Sequence, residues 1–299
     1  MFRFPRAALD LAAAKAYCEP LIVQDYLSFS TEGAYAILNI EFCDQEGGGW
    51  VEGEGWLPAM LTLREDILRG DYRALYLAWL KVLEVEDLLE SALEPPVPSG
   101  LKALSPALRT MVKFFEVDEM LIQVAVDLSG DRKAQPQGWL RRALSRLPVE
   151  ERDTFMLRLA QGEPHLSAEL NRRLRELSPL PEAELPPRRT VGQLILEAEE
   201  RRQREERRRA EEAEARRIRE LEVLAKREAK AWTEVDGLIQ KMNARAYDEA
   251  VQLLLNLRDL AEYQGQETLF QQRLHAIYVQ YSRRPALLGR LRSARLYRL

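Results

Sequence analysis

Apolar residues follow two rhythms along this chain. Near the start they alternate. MFRFP (1–5) reads as a short strand ended by Pro5, and ALDLAAAKAYC (8–18) as a short helix. YLSFS (26–30) and AYAILNIEF (34–42) read as strands joined by a turn at Thr31, Glu32 and Gly33. In the second, Ala36, Leu38, Ile40 and Phe42 form a wholly apolar face opposite Tyr35, Ile37, Asn39 and Glu41. That period of two marks a strand with one buried side. A hairpin is marginal alone in water, so it is expected to pack on helices.

From Trp56 to Ser178 the period becomes helical. LPAMLTLREDILRG places Leu57, Met60, Leu61, Ile67 and Leu68 at helical spacing, with Gly70 as its stop and Asp71 as the cap of the next helix. DYRALYLAWLKVLE puts Leu75, Trp79, Val82 and Leu83 on one face, with Tyr72 and Tyr76 beside it. EPPVPSG (94–100) is a rigid break. Ser105 and Asp118 are expected caps of two further helices, the first with proline at its first position. Three short helices are expected beyond the polar loop GDRKAQPQG (130–138), with His165 just inside the start of the last. SPLPEAELPPRR (178–189) reads as a linker.

The stretch from Thr190 to Asn243 has no proline and only Gly192 and Gly237, so one long helix is expected. Between 199 and 220 acids and arginines interleave, with Glu200, Glu205 and Glu212 each four residues before Arg204, Arg209 and Arg216. No apolar seam runs from 199 to 217. Such a helix stands in solvent as a strut, reaching roughly 70–80 Å if unbroken. Apolar residues return at Ile218, Leu221, Leu224, Ala225, Trp232, Val235, Leu238, Ile239 and Met242. That stripe either pairs as a coiled coil or is covered by the helices nearest to it in sequence.

Those helices form a hairpin. AYDEAVQLLLNLRDLAEYQG (246–265) carries Ala250, Leu253, Leu254, Leu257 and Leu260, and its partner carries Leu269, Phe270, Leu274, Ile277 and Tyr281. The small residue, Tyr-x-Glu-Ala, leucine ladder and glycine turn resemble a tetratricopeptide-style hairpin, though one pair is no array. The tail holds Arg283, Arg284, Arg290, Arg292, Arg295 and Arg298 without an acid, a candidate contact for nucleic acid or an acidic partner. Leu287, Leu288, Leu291 and Leu296 are expected against the hairpin.

Composition narrows the chemistry. The 299 residues allow two modest domains, and 31% charged residues with a net charge of −4 argue against a general nucleic-acid coat. Cys18, Cys43, His165 and His275 are too few and too scattered for zinc, and the cysteines read as reduced thiols. The start lacks a signal-peptide core and no apolar run is long enough for a bilayer, so a cytoplasmic protein is expected. The loop DQEGGGWVEGEGW lacks the lysine and helix-opening pattern of a phosphate cradle, and its acids would repel phosphate. Its tryptophans, Trp50 and Trp56, are candidate loop contacts for a ligand, or pin the loop to the core. No carboxylate pairs recognisably with a histidine, cysteine or serine nucleophile, so neither an enzyme nor a cofactor is expected.

Five stretches, GEGWL (53–57), LRGDYRALYLAWL (68–80), EPPVPSGL (94–101), RTVGQL (189–194) and YDEAVQLLLNLRDLA (247–261), resemble a group of uncharacterised bacterial proteins. The end of the chain, through RRPALLGRL (283–291), is similar to the C-terminal ends of some bacterial SWIM zinc-finger proteins. The Cys-x-Cys and Cys-x-His ligands of that module are missing, so no zinc or DNA-binding role carries over. Longer members of the first group carry a further region ahead of MFRFP. The resemblance therefore implies a shortened form or an upstream start, with MFRFP left as an open sheet edge.

The expected fold is α+β and mainly helical: an N-terminal domain (1–177) with a small antiparallel β-hairpin region, a proline-rich linker (178–189), a long charged helix (190–245) and a C-terminal helical hairpin with a basic tail (246–299). The expected function is a non-enzymatic scaffold or adaptor for protein partners. A nucleic-acid accessory role through the arginine tail is the alternative, and a homodimer is open through 218–242.

Overall fold

The computed structural model describes residues 1–19, 21–42, 56–86, 90–131, 138–178 and 188–296. The class is α+β and mainly helical, and the chain divides into two compact units, Met1–Gln203 and Arg204–Leu299.

The first unit opens with a three-stranded antiparallel sheet. β1 (Phe2–Pro5) and β2 (Leu27–Glu32) flank β3 (Tyr35–Ile40), with α1 (Leu11–Lys15) and two 3-10 turns between β1 and β2. Ala36 and Leu38 on β3 are fully buried, as their alternation predicts. Ile37, on the other face, is buried as well. The outward carbonyls of the β1 edge are taken. Arg6 donates to Ala34, so antiparallel alternation turns the backbone groups of Arg3 and Pro5 away from β3. Arg64 Nε donates to Arg3 O at 2.8 Å, the Pro5 carbonyl accepts from Ala8 and Leu9, and proline has no N–H to offer.

Helices α2 (Trp56–Leu68), α3 (Arg73–Val85), α4 (Pro106–Phe114) and α5 (Glu119–Leu128) cover this sheet region. α3 is buried from Arg73 to Leu80, more than the single face expected, because α4, α5 and the 3-10 turn after α1 pack around it. Its polar rings find partners: Trp79 donates to Glu19 O at 3.2 Å. Ser105 and Asp118 cap α4 and α5 as the sequence predicts. Tyr72 rather than Asp71 holds the N-cap position of α3, yet the Asp71 carboxylate still accepts from the first N–H of the helix, Arg73 N at 3.3 Å, and it also binds the buried Arg73 guanidinium, with Nη2 2.7 Å from Oδ2. Leu61, expected on the buried side of α2, is 64% exposed. α6 (Trp139–Arg146), α7 (Val149–Ala160) and α8 (Leu166–Leu177) share a small core of Trp139, Ala143, Leu147 and Leu174. His165 stands just before α8 rather than inside it, with a left-handed φ of 62°.

The charged helix begins inside this unit. α9 (Val191–Ala225) buries Val191, Leu194 and Ala198 in the same core as the sheet. A buried ion pair holds its start. Arg189 Nε lies 2.6 Å from Glu94 Oε2 and its Nη2 3.1 Å from Oε1, with Glu94 1% and Arg189 7% exposed. Tyr76 also donates to Glu94, and the guanidinium reaches Glu197 at 2.7 Å. Backbone bonds from Glu94 to Arg189, Val191 to Ala92 and Gly192 to Glu90 seal the two segments together. A Cβ on Gly192 would meet Glu90 Cβ at 3.0 Å, so glycine permits that approach.

Beyond Gln203, residues 206–217 are exposed, and Glu205 pairs with Arg208 and Arg209 while Arg208 also reaches Glu212. Each such pair contributes a few tenths of a kcal/mol to the helix. The single helix expected over 190–245 is two. α9 ends at Ala225, and α10 (Glu228–Gln240) starts after a turn at Lys226 and Arg227. That break turns Ala231, Val235 and Ile239 into the core that Leu221 and Leu224 already enter. α11 (Ala244–Gln264), α12 (Glu267–Gln280) and α13 (Pro285–Ser293) complete the second unit. They cover the apolar stripe from Leu221 to Ile239, whereas Ile218 is half-buried outside that core and Met242 is 67% exposed at φ 54°. Leu254, Leu257, Phe270, Leu274, Ile277, Tyr281 and the four tail leucines are buried, whereas Leu269 is 55% exposed.

Removing the Arg189 side chain leaves Glu94 buried and unpaired. Arg189→Ala should therefore cost about 3–5 kcal/mol of first-unit stability, more than the double variant Glu94→Leu/Arg189→Met. Denaturation followed by Trp79 fluorescence would measure both. Deleting 204–217, two heptads from the exposed stretch, should leave the unfolding transitions of both units in place by calorimetry. Loss of either transition overturns their independence.

Candidate functional site

The ends of α2 and β3 leave an apolar cavity in the first unit. Its volume is about 650 Å³, within the ordinary range of ligand sites. Leu63, Ile67, Ala74 and Met111 form its floor and are almost fully buried. Their helices meet there because each follows an apolar spacing of three or four residues. Toward solvent stand Leu61 and Phe114, 64% and 37% exposed, with Trp56 between. Aromatic rings line one wall. The centroid of Trp56 lies 5.6 Å from that of Phe114, Phe114 lies 4.9 Å from Phe115, and Phe115 lies 5.2 Å from Phe42. The one acidic side chain among the lining residues is Glu41, which is exposed.

The described lining is suited to holding an apolar group. Filling apolar space gains the transfer free energy of the guest plus dispersion contacts that the open cavity lacks.

The sequence-predicted contacts are scattered. Trp56 lies in this wall, while Trp50 falls outside the described residues. The arginine tail does not form one free face. Arg284 donates to Ile239 O and lies over the Tyr281 ring at 4.8 Å, and Arg290 pairs with Asp248. Arg292 donates to the Tyr278 hydroxyl at 3.3 Å. Arg283 and Arg295 are exposed, and Arg298 lies outside the described residues. Tail arginines thus serve partly as struts for α13.

Two charged features escaped sequence reasoning. One is the Glu94–Arg189 pair, whose only sequence signal is that Glu94 directly precedes one diproline and Arg189 stands two residues after another. Burial and the Glu94 carboxylate push the Tyr76 hydroxyl well above its ordinary pKa, so this network keeps its proton at neutral pH. The other is a division of charge. Residues 1–203 hold 24 basic and 33 acidic side chains, and residues 204–299 hold 20 basic and 15 acidic. Cys18 is buried, and burial pushes its thiol up to about 12, which makes it a poor nucleophile. Among the described residues no three histidine, cysteine or acidic side chains converge to hold a metal ion.

Comparison of the chain with protein-family models, with curated proteins and with solved structures finds no match. The functional reading therefore rests on geometry.

Ala74→Leu should fill part of the cavity floor and raise first-unit stability by about 1 kcal/mol. It should also reduce the blue-shifted fluorescence of a solvatochromic apolar dye. Unchanged dye uptake in that variant would show that the cavity is not where apolar guests enter.

Proposed function

We propose that the protein is a non-enzymatic adaptor. In this reading its first unit takes up an apolar segment of a protein partner, and the charged stretch of α9 spaces that unit from a second docking module. The observation that carries it is the cavity: concave, walled by aromatic and aliphatic side chains, and rimmed by an exposed leucine and phenylalanine. Interfaces concentrate their energy where a few apolar anchors enter such pockets. The exposed salt-bridged stretch of α9 supports the spacer role, because its own pairs hold it helical without a partner. Cys18, a free buried thiol, suits a reducing compartment, in keeping with the cytoplasm. Among the described residues no helix is long and apolar enough to cross a membrane.

Affinity purification of the tagged chain from its host, with and without nuclease, tests this reading beside the rim variant Leu61→Glu. Partners should survive nuclease and fall away with Leu61→Glu, whose side chain already faces solvent and should fold normally. Partners lost with nuclease, and unaffected by Leu61→Glu, would move the reading to a nucleic-acid role for Arg283, Arg292 and Arg295.

A further inference from the structure

The pairing along α9 is uneven. Glu205 and Glu212 are taken by Arg208 and Arg209, so Arg216 does not receive Glu212 as the spacing had suggested. From that point the arginines multiply without matching acids. Arg216, Arg219 and Arg227 are exposed and make no ion pair among the described residues. Arg217 approaches only Asp259, at 4.0 Å, and Asp259 is held more closely by Arg258 at 2.9 Å.

These four arginines border one groove of about 440 Å³ between the end of α9 and α11. Leu221 and Leu224 are buried in its wall, and Val223 stands 58% exposed beside them. Two acids, Glu220 and Asp259, share it. Arg216, Glu220, Val223 and Arg227 succeed one another at steps of four, three and four residues, so a straight edge runs along the groove as far as the turn that ends α9.

We infer that this groove docks an acidic amphipathic helix of a protein partner. Carboxylates on that helix meet Arg216, Arg219 and Arg227, and an apolar residue covers Val223. Charge complementarity selects the partner's sign, since guanidinium forks bind carboxylates in paired hydrogen bonds. The two acids in the groove and the exposed valine favour a helix of mixed side chains over a nucleic acid. A phosphate backbone is continuously negative and would meet Glu220 and Asp259 at close range. The inference rests on the adaptor reading and names the partner of its second module.

Fluorescence anisotropy of the full-length chain tests it. The probes are a labelled helical peptide of about 18 residues with leucine at every third or fourth position and glutamate elsewhere, the same peptide with lysine for glutamate, and a single-stranded oligothymidylate. The acidic peptide should bind, weaken as salt rises, and lose about tenfold or more in affinity with Arg216→Glu/Arg219→Glu. Val223→Asp should weaken it too. Arg245→Glu, a reversal at an exposed position on α11 away from the groove, should leave it unchanged, and circular dichroism melts of all variants should coincide with the parent.

Absence of acidic-peptide binding, equal loss with Arg245→Glu, or tighter binding of the oligothymidylate each overturns the inference. Such a failure is separable from failure of the adaptor reading, because partner capture sensitive to Leu61→Glu would persist.

Discussion

The structure of the first unit turns on one buried ion pair. Glu94 and Arg189 lie far apart in sequence and meet where water is nearly excluded. Two charges in such a place need each other and need hydrogen bonds for their remaining atoms. Tyr76, Glu197 and the backbone of Val124 supply those bonds. Because the pair is satisfied, the segment around residue 190 can lie against the segment around residue 92, and α9 can start with Val191 and Leu194 in the core.

The pair gives α9 a fixed root and, with it, two characters along one helix. Over its first turns apolar side chains hold it, with Arg201 and Arg202 tied to Asp127 and Asp118. From Arg204 to Arg217 it is maintained by propensity and by local pairs. At Leu221 and Leu224 a second core takes over. One continuous helix therefore belongs to two units, and its charges change role along its length from anchoring, to self-pairing, to lining a groove.

Surface chemistry divides in the same way. The first unit offers a cavity walled by hydrocarbon and aromatic rings, which recognises shape and apolarity. The second offers guanidinium groups beside a valine, which recognise charge first. Two surfaces of unlike chemistry on one chain suit a molecule that holds different partners at once, and that is the physical content of the adaptor reading.

Local pattern was enough for the strands, most helices, the Ser105 and Asp118 caps and the leucine faces of the C-terminal hairpin, because each depends on spacing within a few residues. It also determined that residues 204–217 stand as a solvated helix, since no apolar stripe exists there to bury. Only tertiary structure decided the rest. The break at Lys226 and Arg227 has no proline or glycine to announce it and arises because two helices must fill one core. Taking up the Arg3 carbonyl on the β1 edge needed Arg64, distant in sequence, to reach it. The cavity is a gap between five elements, visible in none of them alone. The Glu94–Arg189 pair joins residues whose attraction is weak in water and strong only once both are buried, so its strength is a property of the folded state and not of either segment.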